Sequence, residues 1–353
     1  MECTCSIVPD SVLRRFAQDP ELSAELRQQL YNAMAVDARM RAVRNEQTLL
    51  TQAVAGSQLA GFTTLGAAPP IAAAPTVTVY DCKQSGNLPG APVPNPGTST
   101  DATAKRTFTE TTDVAKFYSA VFKRNSVDNA GMTLLSSIHF GVKYNNAFWN
   151  GTQMTYGDGD GAVFVDFTLG NDVIAHELTH GVTQHTLGLL YANEPGGLNE
   201  SVSDVFGSMF RQWKAGQDVN AADWLIGGDI LGPAAKARGF TCLRDLANPA
   251  GAHCLAPQPT HFSQYHGGMD PHESSGIPNL AFCNSAKAVG GKSWDKVGQL
   301  WYSVLTGGVG PKHRPKMLML EFANGTRAAA KKLYPGDAAL FSAVDSGWKS
   351  VGL

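Results

Sequence analysis

NDVIAHELTHGV, residues 171–182, places His176 and His180 four residues apart. On a helix that spacing projects both imidazoles from one face, where they can share a single metal ion. Glu177 lies about 100° around such a helix from His176, so it can act on water at the metal without ligating it. Neutral imidazole nitrogen suits zinc, and His-Glu-x-x-His is the pattern of a metal-assisted peptide hydrolase. The ordinary alternative is two solvent-facing histidines beside a carboxylate.

A catalytic zinc ion needs a third protein ligand and an open fourth position. One arrangement adds a histidine six residues past the second, preceded by a glycine. Here those positions hold Thr183 and Thr186, and His185 is one residue out of register. The other arrangement takes a carboxylate from a following helix, and GGLNESVSDVFG (196–207) supplies it. Residues 199–209 have helical spacing, and Glu200 and Asp204 share a face with Leu198, Val202, Val205 and Phe206 around them. Glu200 is therefore expected as the third ligand. Asp204 is expected to accept a hydrogen bond from the outer nitrogen of His176, as supporting carboxylates do, and the neighbouring Asn199 to assist it. An exposed acidic face is the alternative for this pair.

With these motifs in place the chain resembles the thermolysin family of zinc metallopeptidases. The resemblance rests on NNAFWNGTQMTYGDGDG (145–161), HELTH (176–180), GLLYANEPGGLNESVSDVFG (188–207) and GMDPHESSGIPN (268–279), and covers residues 76–353. It implies zinc ligands His176, His180 and Glu200, with Glu177 as the catalytic carboxylate. It also implies that Tyr191 and His272 hydrogen-bond the oxyanion, with Asp270 orienting His272. Asn146, the carbonyl of Ala147 and the side chain of Arg244 would hold the substrate backbone. Phe164, Val173, Ile226 and Leu243 would line the pocket after the scissile bond, which implies cleavage on the amino side of bulky hydrophobic residues. The implied fold is α+β and two-lobed, a β-rich N-terminal lobe and a mostly helical C-terminal lobe with the zinc site in the cleft between them.

Outward from the motifs, the texture agrees with that fold class. VTVYDC, FGVKYNNAFWNG, QMTYGDGDG and AVFVDF read as strands and turns between residues 76 and 170, and the chain after about Asn171 reads as mostly helical. The lobes are expected at 76–184 and 185–353. Before them, residues 11–44 carry a helical stripe of Leu22, Leu26, Leu30, Val36, Met40 and Val43, with Asp19-Pro20 as a helix start. Residues 51–75, TQAVAGSQLAGFTTLGAAPPIAAAP, contain no charge and are dominated by Ala, Gly and Pro, which reads as an accessible linker. A helical unit of residues 1–50 tethered through such a segment reads as a removable propeptide and intramolecular inhibitor, with the processing site in the linker. This N-terminus resembles that of protealysin-like members of the family through CSIVPDSVLRRFA and DARMRAVR, although Pro9-Asp10 stands where a Pro-Pro pair is usual.

Composition bounds the rest. The 353 residues are 43% hydrophobic and 16% charged with a formal net charge of −2, which fits a cored globular protein and gives no electrostatic footprint for nucleic acid or an anionic membrane. No apolar run approaches the roughly 18 residues a membrane helix needs. The N-terminus lacks the apolar segment of a secretory signal, so synthesis in the cytoplasm is expected, with leaderless export as the alternative. A calcium cluster common in the family is only half matched: Asp172 and Asp223 fit, but Arg211 and Leu225 stand at acidic positions and Gly228-Asp229 replaces another. Arg211 is expected to pair with Asp172 or Asp223 in place of Ca2+. Cys242 and Cys254 could form a disulfide or remain thiols. A thiolate of Cys3 or Cys5 could reach the zinc, although nothing in the sequence brings the N-terminus to the cleft. Two other functions remain open: an aminopeptidase, for which no Gly-x-Met-Glu-Asn signature is present, and a non-catalytic protein that keeps the fold.

Overall fold

A computed structural model describes residues 5–57 and 74–353 of the chain. It opens with β1 (Cys5–Ser6), α1 (Asp10–Ala17) and α2 (Ala24–Ser57). α1 follows Pro9, carries Asp10 in its first turn, and buries Val12, Leu13, Phe16 and Ala17 along one stripe. Each fully buried Leu or Phe of that stripe stabilises the docked segment by about 1.5–3 kcal/mol. Phe16 meets Phe240 of the C-terminal part edge to face at 6.3 Å.

The leader departs from the sequence reading in two places. Pro20 lies in a turn and does not start a helix; Asp19 accepts from the N–H of Glu21 at 2.9 Å and pairs with Arg238 at 2.6 Å. α2 starts four residues later, where Ser23 Oγ accepts from the N–H of Leu26 at 3.2 Å. α2 then runs on through Ser57, so the start of the expected linker is helical, as its Leu, Gln and Ala content favours. The rest of the linker up to residue 73 lies outside the described residues.

The next section holds β2 (Val77–Asp81), β3 (Ala91–Pro92), α3 (Ala102–Phe122), β4 (Leu134–Ile138), β5 (Ala147–Trp149) and β6 (Met154–Tyr156). One six-stranded sheet has the order β1-β5-β6-β4-β2-β3, so the leader supplies an edge strand. β1 runs antiparallel to β5 with Cys5 opposite Trp149 and Ser6 opposite Phe148. α3 is a helix in what reads as β texture. Its cap is Asp101, accepting from the N–H groups of Thr103 and Ala104, and its buried face begins with Ala and Thr and ends in Phe117, Tyr118 and Phe122. AVFVDF alternates like a strand but is not one: Phe164 makes an isolated bridge to Leu231, and the Asp160 carboxylate turns the backbone by accepting from Ala162 and Val163 N–H at 2.7 Å.

α4 (Asn171–Gln184) and α5 (Asn193–Ala215) form the centre of the molecule. They pack antiparallel and close, because Gly207 on α5 faces the carbonyl of Asp172 on α4; a Cβ there would lie 2.8 Å from that oxygen. β7 (Leu225–Ile226) pairs antiparallel with β8 (Arg244–Asp245), separated by α6 (Pro233–Ala237). The chain ends in α7 (Pro271–Ser274), α8 (Gly276–Val289), α9 (Val297–Leu305), α10 (Met319–Leu333) and α11 (Ala338–Lys349). Trp301 and Trp348 stack at 5.5 Å in the core of this helical part. Among the described residues no helix is long and apolar enough to cross a membrane.

Candidate metal centre and substrate groove

Because α4 and α5 are antiparallel, successive turns of one face successive turns of the other. His176 and His180 from α4 and Glu200 from α5 converge in the interior. Their Nε2 atoms are 3.0 Å apart, and Glu200 places Oε2 at 3.5 Å from His176 Nε2 and Oε1 at 3.4 Å from His180 Nε2. Ligands at about 2.1 Å from a tetrahedral zinc ion are separated by about 3.4 Å, so the donor set fits zinc in identity and in spacing. The outer nitrogens are held as well. Asp204 Oδ1 is 2.9 Å from His176 Nδ1, and Asn199 Oδ1 is 2.9 Å from His180 Nδ1.

Two of the buried carboxylates need something more. Glu200 Oε2 and both oxygens of Glu177 are buried without a well-formed hydrogen bond, with only the backbone N–H of Trp149 acting on Glu177. Orphaned buried carboxylate oxygens are costly unless a cation or water meets them. Burial pushes Glu177 up to about 8, with His176 opposing and Glu200 reinforcing the rise.

Tyr191 donates its hydroxyl to Glu200 Oε1 and lies 3.1 Å from His272 Nε2. His272 Nδ1 is 2.7 Å from Asp270 Oδ1, and Asp270 also caps α7 through the N–H of His272. Burial alone would lower His272, but Glu200 and then Asp270 outweigh it and raise it to about 9.

The groove beside these groups is filled by the leader. Ile7 N–H donates to the Ala147 carbonyl at 3.1 Å, and the Ile7 carbonyl accepts from Arg244 Nη1 at 2.9 Å. Val8 is gripped on both sides by Asn146, whose Oδ1 accepts from Val8 N–H at 2.9 Å while Nδ2 donates to the Val8 carbonyl at 3.0 Å. His272 Nε2 donates to the Ser6 carbonyl at 2.5 Å. Asn146, Ala147, Arg244 and His272 thus all meet one tripeptide, Ser6-Ile7-Val8, where the chain bends as it leaves β1. Phe164, Val173, Ile226 and Leu243 are fully buried and share one continuous core with Ile7. Leu243 and Ile226 are joined by an N–H to carbonyl bond of 2.9 Å next to Arg244.

Profiles for the thermolysin metallopeptidases match the chain twice, the catalytic domain over residues 94–184 and the alpha-helical domain over residues 187–353. This chain belongs to the thermolysin family of metallopeptidases. It is 39% identical over 289 residues to an extracellular metalloprotease of Pectobacterium carotovorum subsp. carotovorum, covering 78% of this chain and 80% of that one. It is 37% identical over 288 residues to protease PrtS of a Photorhabdus species, covering 78% and 76%. The precursor of protealysin, a metalloproteinase from Serratia proteamaculans, superposes with a TM-score of 0.79 at 32% identity over 98% of this chain and 99% of that one. The thermolysin-like fold and the metallopeptidase activity expected from the motifs follow.

Several residues of this thermolysin-family site were not singled out from the sequence. Ser203 Oγ lies 3.0 Å from His180 Nδ1, and Asn279 donates to Asp204 Oδ2 at 2.9 Å. Ser203 was within reach, being one helical turn from Asn199 on the same face. Asp37 of α2 is 1% exposed and accepts from Asn146 Nδ2 at 2.9 Å and from the Tyr144 hydroxyl. The calcium reading changes in detail. Arg211 bonds Asp229 and approaches Asp223 at 3.7 Å, whereas Asp172 accepts from Gly227 N–H at 2.7 Å and Val173 N–H at 2.9 Å. Of the two partners expected for Arg211, Asp223 is met at 3.7 Å and Asp172 is not, and the shorter bond goes to Asp229. Cys242 and Cys254 are free thiols here. Cys3 lies outside the described residues. The N-terminus does come to the cleft, contrary to what the sequence offered, and the group meeting His272 is the Ser6 carbonyl.

Proposed function

We propose that this metallopeptidase is an endopeptidase made as a latent precursor, cutting on the amino side of bulky hydrophobic residues, with residues 1–50 as its propeptide. The observation that carries the reading is the Ser6-Ile7-Val8 backbone, whose N–H and carbonyl groups are taken up by Ala147, Asn146, Arg244 and His272 as a substrate's would be. That register puts the Ser6–Ile7 peptide bond beside His272 and a branched apolar side chain immediately after it, which supports the specificity. His176, His180 and Glu200 would hold zinc. When bound, the ion supplies Lewis-acid polarisation of a carbonyl and acidifies water. Glu177 takes a proton from the attacking water and returns it to the leaving amine as the C–N bond breaks. Tyr191 and His272 donate to the carbonyl oxygen as negative charge gathers on it, the task for which such preorganised donors are worth about 3–4 kcal/mol.

Cleavage in the segment 51–75 by the enzyme itself releases the leader in this scheme. Its lobes then correspond to residues 76–184 and 185–353. The Pectobacterium relative is an extracellular metalloprotease, which supports export of this chain too. A Glu177→Ala chain purified from cells is expected to stay full length while the wild type shortens, read by intact mass and N-terminal sequencing. Equal shortening of both chains removes the self-processing step. Digestion of a mixed peptide library by the mature enzyme reads the specificity, with Leu, Ile and Phe expected immediately after the cut.

A further inference from the structure

Outside the catalytic centre, a second convergence of metal-ligating side chains lies on the segment that carries Arg244. The backbone builds it: Thr241 N–H donates to the His253 carbonyl at 3.0 Å and Leu255 N–H to the Cys242 carbonyl at 2.9 Å, so residues 241–243 run beside 253–256. Cys242 and Cys254 are fully buried there, and a ligand atom from each of Cys242, His253 and Cys254 lies within 4.8 Å of the others.

We infer that Cys242, Cys254 and His253 form a second metal site that takes a soft divalent cation such as zinc, with Asp245 holding His253 and solvent completing the coordination. The two sulfurs are 3.6 Å apart and Cys254 Sγ is 3.7 Å from His253 Nε2. Thiolates at about 2.3 Å from a tetrahedral zinc ion are separated by about 3.8 Å, so these spacings are those of ligands on one ion. His253 Nε2 is also 3.1 Å from Asp245 Oδ2. Asp245 Oδ1 is committed to the N–H groups of Ala247 and Asn248, which fixes the carboxylate and turns Oδ2 to His253. The His253 side chain is 33% exposed, which gives an ion a way in from solvent.

The chemistry separates this site from a simple cysteine pair. A disulfide would use the two sulfurs and give the neighbouring imidazole of His253 no part, whereas two thiolates and an imidazole together make a zinc donor set. The consequence is mechanical: a cation here closes the loop between Cys242 and His253 and braces Leu243 and Arg244, the latter holding the Ile7 carbonyl.

The test uses the full chain, freed of metal under reducing conditions and reloaded with zinc or cobalt. The wild type is expected to bind two equivalents of zinc and Cys242→Ser/Cys254→Ser one. Cobalt in the wild type is expected to show thiolate-to-metal charge-transfer absorption, which His176, His180 and Glu200 cannot produce because they offer no sulfur. That band decides the matter even if the double variant does not fold. One equivalent in the wild type, a second equivalent surviving in the variant, or no charge-transfer band overturns the site. So does an intact mass two hydrogens lighter for the protein purified without reductant, which would show the sulfurs bonded to each other.

Discussion

The α4–α5 helix pair gathers carboxylates at two levels and meets them in different ways. One turn into α4 from its start, His176, His180, Glu177 and Glu200 leave three carboxylate oxygens without partners. At the start of α4, Asp172 is equally buried but is closed off by two backbone N–H groups, and Arg211 from α5 lies among Asp172, Asp223 and Asp229. The first level needs a cation from outside and the second carries its own. A guanidinium is permanently charged and covalently tethered, so it neutralises without responding to solvent composition. An unfilled donor set binds, releases and leaves a coordination position open. The contrast explains why one level can perform chemistry while the other only holds helices and the β7 region together.

The largest effect should come from the open level. Glu177→Gln keeps the volume and all three ligands but loses the proton acceptor, so peptide hydrolysis by the mature enzyme should fall by about 10²–10⁴-fold. Zinc content, measured by atomic emission, should not change. A fall in zinc content together with activity would place Glu177 among the ligands and undo the distinction drawn above. Arg244→Leu comes next. Arg244 donates to both oxygens of Asp204 at 2.8 Å in a fully buried pair, and Asp204 in turn holds His176. Breaking such a pair from one side costs about 3–5 kcal/mol, to be read from urea midpoints. A loss below 1 kcal/mol would mean that Asn279 and His176 satisfy Asp204 unaided.

The closed level should respond less. Arg211→Met removes a partner from half-exposed Asp223 and Asp229 and should cost about 1 kcal/mol, with activity at room temperature unchanged. Millimolar calcium should recover the loss, because Asp223 and Asp229 are then left without a cation. We propose that Arg211 replaces calcium in the wild type. A calcium-selective chelator should therefore leave its Tm in place, and a Tm that falls and returns with calcium would show that Arg211 substitutes for nothing.

How much of this was legible in the chain depends on the range of each interaction. HELTH, and Glu200 with Asp204, are helical-period signals, readable because one turn of helix fixes the geometry. Asn199 and Ser203 obey the same spacing. α3 was hidden because the first part of its buried face is Ala104, Thr107, Thr111, Val114 and Ala115, with Thr107 returning its hydroxyl to the Thr103 carbonyl, and the aromatics Phe117, Tyr118 and Phe122 come only at its end; such a start has little apolar contrast. AVFVDF had contrast without a ladder to join. Pro20 gave a local start signal that Arg238, 219 residues away from Asp19, overrode by holding Asp19 in a turn. The placement of Ser6 at His272 spans 266 residues and carries no periodic mark at all.

A third carboxylate cluster tests whether the contrast between borrowed and built-in cations has a middle case. His139 sits between Asp158, 2.7 Å from Nδ1, and Asp101, 3.0 Å from Nε2. Asp101 also caps α3, so this imidazolium ties the helix start to the loop before Gly159. The Asp158 hydrogen bond, against the opposing effect of burial, raises His139 to about 9, whereas an unfolded histidine titrates near 6.5. A group whose folded pKa is the higher one stabilises fully below the unfolded value, and the benefit is lost as pH rises through the folded value. Stability from His139 should therefore be complete below about pH 6.5 and gone above about pH 9. Both aspartates are partly solvated, so the contribution should be no more than about 1 kcal/mol. His139→Gln keeps hydrogen bonding without the charge, and the difference in Tm between it and the wild type should close between pH 6.5 and 10. A difference that persists unchanged to pH 10 would mean that His139 acts by packing and not as a cation between Asp101 and Asp158.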